Sequence, residues 1–64
     1  MKSYNYINDL GCPKRIDIDV ENPKDNKYYS IIWNMQNGEL CGSGYNSKEE
    51  LIDFLMHYGI NADF

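Results

Sequence analysis

The sequence predicts an α+β domain in which a three-stranded antiparallel β-meander packs on one C-terminal helix (β-β-β-α). Three local signals predict it. Arg15 to Val20 alternates strictly, Asn37-Gly38 stands between two strand-like runs, and Ser47-Lys48-Glu49-Glu50 opens an apolar stripe of helical period. On this reading the chain is one domain. It comprises an irregular lead-in (1–13), the meander (14–45), a helix (47–59) and a short tail (60–64).

In the lead-in, Tyr4, Tyr6 and Ile7 are apolar enough to pack, and a short extra N-terminal edge strand is compatible with them. Gly11-Cys12-Pro13 then reads as a turn. The first strand places Ile16, Ile18 and Val20 on one face and Arg15, Asp17 and Asp19 on the other, the period-two pattern of a half-buried strand. Glu21 to Asn26 is rich in turn formers and ends it.

The second strand, Lys27 to Gln36, is expected to turn Tyr29, Ile31, Trp33 and Met35 toward the core. Asn37-Gly38 predicts a two-residue type I′ hairpin, whose two central residues both need positive φ. That turn sets a register of Trp33 with Gly42 and Ile31 with Gly44. The two glycines would then leave room for the indole or for a closely approaching helix. Ser30, Ile32, Asn34, Cys41, Ser43 and Tyr45 are expected on the outer face.

The helix is the most fully specified element. Ser47 and Glu50 match the capping box, while Leu51, Ile52, Phe54, Leu55 and Tyr58 form an apolar stripe at helical spacing. Gly59 occupies the left-handed C-cap position, with Ile60 placed to touch Leu55.

Size and charge narrow the function. Sixty-four residues hold a core near the lower limit for independent folding. The 42% hydrophobic content and nine aromatics oppose disorder. The formal charge of −4 lies wholly in residues 28–64, where five acids face Lys48 alone; residues 1–27 balance five acids against five bases. A nucleic-acid binder needs a basic footprint, so direct nucleic-acid binding is not expected. The polar start and the lack of a long apolar run predict neither a signal peptide nor a membrane span, and a cytoplasmic location with Cys12 and Cys41 as reduced thiols.

Chemistry finds little support. No Cys-x-x-Cys, histidine pair or calcium-loop spacing is present, and no metal or cofactor is expected. His57, the only histidine, lies in the last helical turn, where the helix dipole suits it. A cysteine nucleophile would need that histidine beside it, and none is expected. Asp17 and Asp19 share a strand face, but a single sheet layer offers no cleft to exclude water. Gly42-Ser43-Gly44 precedes a helix, yet Glu49 and Glu50 in its first turn would repel a phosphate.

The expectation is therefore a surface, and no enzyme. The candidate contact residues are Asp17, Asp19, Glu21, Tyr28, Ile32, Asn34, Cys41 and Tyr45 on the outer sheet face, with Glu49, Glu50 and Asp53 on the helix. Tyrosine beside small polar groups suits a protein-contact patch. The leading reading is a non-catalytic protein-binding module, a small acidic inhibitor or regulator of a larger macromolecule. Nucleic-acid mimicry by the acids is one version of it. The alternative is a homo-oligomeric structural or small-molecule-binding protein, with a homodimer as its simplest form. Three strands followed by a helix is a layout shared by several antitoxins and phage inhibitors, a likeness of layout alone. The Asn-, Lys-, Ile- and Tyr-rich composition suits a phage or mobile element of low GC content.

Overall fold

A computed structural model describes all 64 residues. Four strands and one helix follow in order: β1 (Lys2–Ile7), β2 (Pro13–Ile18), β3 (Lys27–Asn34), β4 (Leu40–Ser47) and α1 (Lys48–His57). The strands form one antiparallel sheet in sequence order, so the meander has four strands where three were expected. The lead-in is a full edge strand. Its residues pair along their whole length with β2, from Lys2 opposite Ile18 to Ile7 opposite Pro13. Tyr4 and Tyr6 alternate with Ser3 and Asn5, and this brings Tyr6 into the core.

The helix lies across one face of the sheet. Leu51 and Leu55 pack with Tyr6, Ile16 and Ile18, and these five are the buried apolar residues of the protein. Its ends are closed by local sequence. Ser47 Oγ accepts from the Glu50 N–H at 3.1 Å, and Glu50 Oε1 accepts from the Ser47 N–H at 3.0 Å. At the other end Gly59 adopts φ +75°. The Gly59 N–H reaches the Met56 carbonyl and the Ile60 N–H the Leu55 carbonyl, both at 2.9 Å, which is the Schellman closure. The tail then runs back over the sheet. Tyr4 Oη donates to Asp63 at 2.6 Å, and the Phe64 ring meets Tyr28 edge-on at 5.6 Å.

The faces of β3 are the reverse of those expected. Ile16 pairs with Ile32 and Ile18 with Ser30, so Ser30 and Ile32 share the helix side with the β2 isoleucines. Tyr29, Ile31 and Trp33 therefore point away from the helix. The turns explain the reversal. Asn37-Gly38 forms no type I′ turn, because Gly38 has positive φ and Asn37 does not. The loop instead spans four residues between Asn34 and Glu39: the Gly38 N–H donates to the Asn34 carbonyl at 2.7 Å, and the Asn34 N–H to the Glu39 carbonyl at 2.8 Å. Trp33 then pairs with Leu40, and Cys41 is the extra residue of a bulge before Ile32 pairs with Gly42.

The positive-φ pair lies in the preceding connection. Asp25 (φ 52°) and Asn26 (φ 61°) sit between Lys24 and Lys27, which exchange two backbone hydrogen bonds at 2.8 and 2.9 Å. That is the geometry of a type I′ hairpin turn. Continued as a ladder, Lys24 opposite Lys27 would set Ile18 against Trp33. The observed partner of Ile18 is Ser30. Residues 19–23 absorb an offset of three, and an odd offset turns a strand over.

Gly42 and Gly44 do face the helix side, opposite Ile32 and Ser30. They make no room for a close neighbour, since a Cβ at either would meet nothing within 4 Å.

Candidate functional site

The sheet has a covered face and a bare one. The bare face carries Ser3, Asn5 and Ile7 from β1, Arg15 and Asp17 from β2, Tyr29, Ile31 and Trp33 from β3, and Ser43 and Tyr45 from β4. None of its large apolar side chains belongs to the core or to the shell packed against it. The only tryptophan of the chain is thus spent on a surface. Tyr29 and Tyr45, directly opposite each other, hold their rings 5.1 Å apart, and Tyr45 remains 52% exposed.

At the centre of this face Asp17 gathers three donors. Ser3 Oγ–H reaches Oδ1 at 2.6 Å, the Trp33 Nε1–H reaches Oδ2 at 2.9 Å, and Arg15 Nη2 reaches Oδ2 at 3.2 Å. Arg15 Nε lies 3.1 Å from Oδ1 as an ion contact; its N–H is off line and buried without a hydrogen-bond partner. Register explains the convergence, because Ser3 pairs with Asp17 and Arg15 with Trp33 in the adjacent row. Partial burial pushes the Asp17 carboxyl up, but the donors Ser3, Trp33 and Arg15 outweigh it and hold the group below the ordinary aspartate value. With its side chain only 13% exposed, Asp17 is a fixed, internally satisfied anion.

The predicted contact residues do not form one surface. Asp17 and Tyr45 lie on the bare face. Asp19 follows β2 and uses its carboxylate to accept the Glu21 N–H, while Glu21 pairs with the N-terminal ammonium at 3.2 Å. Tyr28 and Ile32 are corrected to the helix side, where both pack against the core. Asn34 ends β3, and its side chain is taken up by the loop, accepting the Gln36 N–H at 2.9 Å. Cys41, displaced by the bulge, accepts from Lys14 Nζ at 3.3 Å. Glu49, Glu50 and Asp53 ride on the helix layer, across the sheet from Asp17. Glu50 is occupied by the cap, whose backbone N–H at Ser47 lowers its carboxyl pKa. Tyr28 and Glu49 do meet, beside Pro23, Asn26 and Lys48, around an open polar depression of about 440 Å³.

What residue-by-residue reading missed is Trp33, Tyr29 and Ile31, which it assigned to the core. Both faces of β3 are apolar, so alternation alone could not choose between them. The β2–β3 pairing decides it, since Ile16 and Ile18 oblige their partners to face the helix, and nothing in the sequence fixes that pairing.

No group of three or more His, Cys, Asp or Glu side chains is arranged to hold a metal ion. His57 Nε2 lies 3.2 Å from Asp9 on the surface. Both cysteines are free thiols. No helix is long and apolar enough to cross a membrane. Comparison with models of protein families, with curated proteins and with solved structures finds no match for this chain.

Proposed function

We propose that this protein is a non-catalytic protein-binding module whose contact surface is the bare face of the sheet, and that it acts in the cytoplasm as a small inhibitor or regulator of a larger protein. One observation carries the reading: Tyr29, Ile31, Trp33 and Tyr45 lie outside the core and its shell, on a face that no other part of the chain covers. Aromatic residues around a polar centre are the usual composition of a protein-contact patch. The Asp17 cluster supports the same reading. It presents a guanidinium edge that the satisfied Asp17 carboxylate holds in place, so little of that side chain's entropy remains to be lost on binding. Nucleic-acid mimicry is disfavoured within this reading, because the helix acids and Asp17 lie on opposite layers and Asp17 is already neutralised by Arg15.

The test is site-specific photocrosslinking from position 45 on the bare face and from position 53 on the helix, in lysate of the source cells. The reading expects, from position 45, a discrete crosslink to a protein other than a second copy of this chain, which Ile31→Lys abolishes. Crosslinks confined to position 53, or undiminished by Ile31→Lys, would overturn it.

A further inference from the structure

We infer that the first occupant of the bare face is a second copy of this chain, so that a weak face-to-face dimer masks the contact surface until a partner displaces it. This inference rests on reading that face as the contact surface.

Charge distribution points to a like copy. A chain of net charge −4 repels itself over most of its surface. By register, the bare face carries Arg15 beside Asp17, an ion pair that sums to zero. The whole net charge therefore resides elsewhere, on the helix, the tail and the loops. This is the face on which two copies meet without opposing acids.

Size points the same way. Four strands about 4.8 Å apart, each rising about 3.3 Å per residue, present about 400–500 Å² per copy. Two stacked copies therefore bury about 800–1,000 Å², below the range of stable specific interfaces and within that of weak, transient ones, which implies a reversible dimer. The geometry is that of a sandwich, with the two sheets about 10 Å apart and the helices outermost. Stability gives the association a reason. Only 6 of 64 residues are buried in the single chain, and small domains with thin cores often gain stability from association.

Sedimentation equilibrium from low micromolar to about 1 mM protein tests the inference. The wild type is expected to rise from its 7.5 kDa monomer mass toward twice that value. Ile31→Lys, in the middle of the face, should weaken the association at least about tenfold, the loss expected for a charge buried at an interface centre. Because a variant can misfold, the wild type supplies a second readout: Trp33 emission should shift to the blue and lose iodide quenching over the same concentrations. A monomer at about 1 mM, or a dimer unchanged by Ile31→Lys, overturns the inference; the latter indicates pairing along an edge strand, β1 or β4. The two readings fail separately. A monomeric wild type that still crosslinks a partner from position 45 removes the dimer alone. A wild-type dimer lost on Ile31→Lys, with no partner crosslinked from position 45, removes the regulator reading alone.

Discussion

The Trp33 indole N–H donates to Asp17 Oδ2 at 2.9 Å across the β2–β3 pair, on the side of the sheet away from the helix. The bond ties a large aromatic side chain flat to a surface otherwise free to rearrange. A hydrogen bond to a charged acceptor contributes more than a neutral one, so Trp33→Phe should cost about 1–2 kcal/mol in urea denaturation, with the fold retained. A cost near zero would show that the indole is not held.

Acid should weaken the protein through the same carboxylate. Asp17 is depressed by its donors, and Asp63 by the hydrogen bonds from Tyr4 and Lys2. A depressed carboxyl contributes stability that is fully present above its unfolded value, about 3.9, and is lost as pH falls through the lower folded value. Asp17→Asn removes that contribution. The gap in urea midpoint between wild type and Asp17→Asn should therefore be widest at neutral pH and close as pH falls below 3.9 toward about 2. A gap that is constant with pH would assign the effect to shape alone.

Gly42→Ala and Gly44→Ala should be tolerated or should stabilise by about 0.4–1 kcal/mol. Neither glycine has positive φ, and an added Cβ meets no atom within 4 Å. Thermal melts of the two single variants decide this. A loss at either position would reveal a neighbour above β4.

Gly59→Ala should behave in the opposite sense. With φ at +75°, a Cβ there is strained whatever the space around it, at a cost of about 1 kcal/mol. Ser47→Ala removes the cap acceptor at the other end and costs about 1 kcal/mol as well. Because the sites lie at opposite ends of α1, the double variant should be close to additive in urea titrations.

The two turns make a paired prediction. Asn26→Ala, at φ 61°, should cost about 1 kcal/mol. Asn37→Ala should cost less, since Asn37 lacks positive φ and its amide serves only the exposed Glu39 N–H and carboxylate. Denaturation of both variants ranks the turns directly, and the reverse order would restore Asn37-Gly38 as the more demanding turn.

The parts of the fold legible in the sequence are those that local chemistry decides. Ser47, Glu50, Gly59 and Ile60 each satisfy backbone groups within a few residues, so the helix and both of its ends follow from short spacings. The Ile16/Ile18 face is legible for the same reason. β1 was obscure because Ser3 and Asn5 dilute a strand that only two tyrosines anchor. The orientation of β3 was not legible, since it depends on an odd offset in residues 19–23, and the register of β4 depends on one extra residue at Cys41. Neither leaves a mark in the hydrophobic pattern of β3 itself. Of the bare sheet face, Asp17 and Tyr45 were placed from the sequence, whereas Trp33 was assigned to the core because a lone tryptophan in an apolar strand is usually buried.

Keeping Cys41 out of the ladder decides which face every later residue of β4 presents. Any side chain at that position preserves the count, so Cys41→Ser should leave the sheet as it is, at the cost of one lysine–thiol contact. Deleting the residue would remove the bulge and leave every later pairing in place, with Gly42 directly after Leu40 and still opposite Ile32. Absorbing Cys41 into the ladder as a paired residue would instead slide Gly42 opposite Ile31 and Tyr45 opposite Tyr28, exchanging one surface for another within a single hairpin.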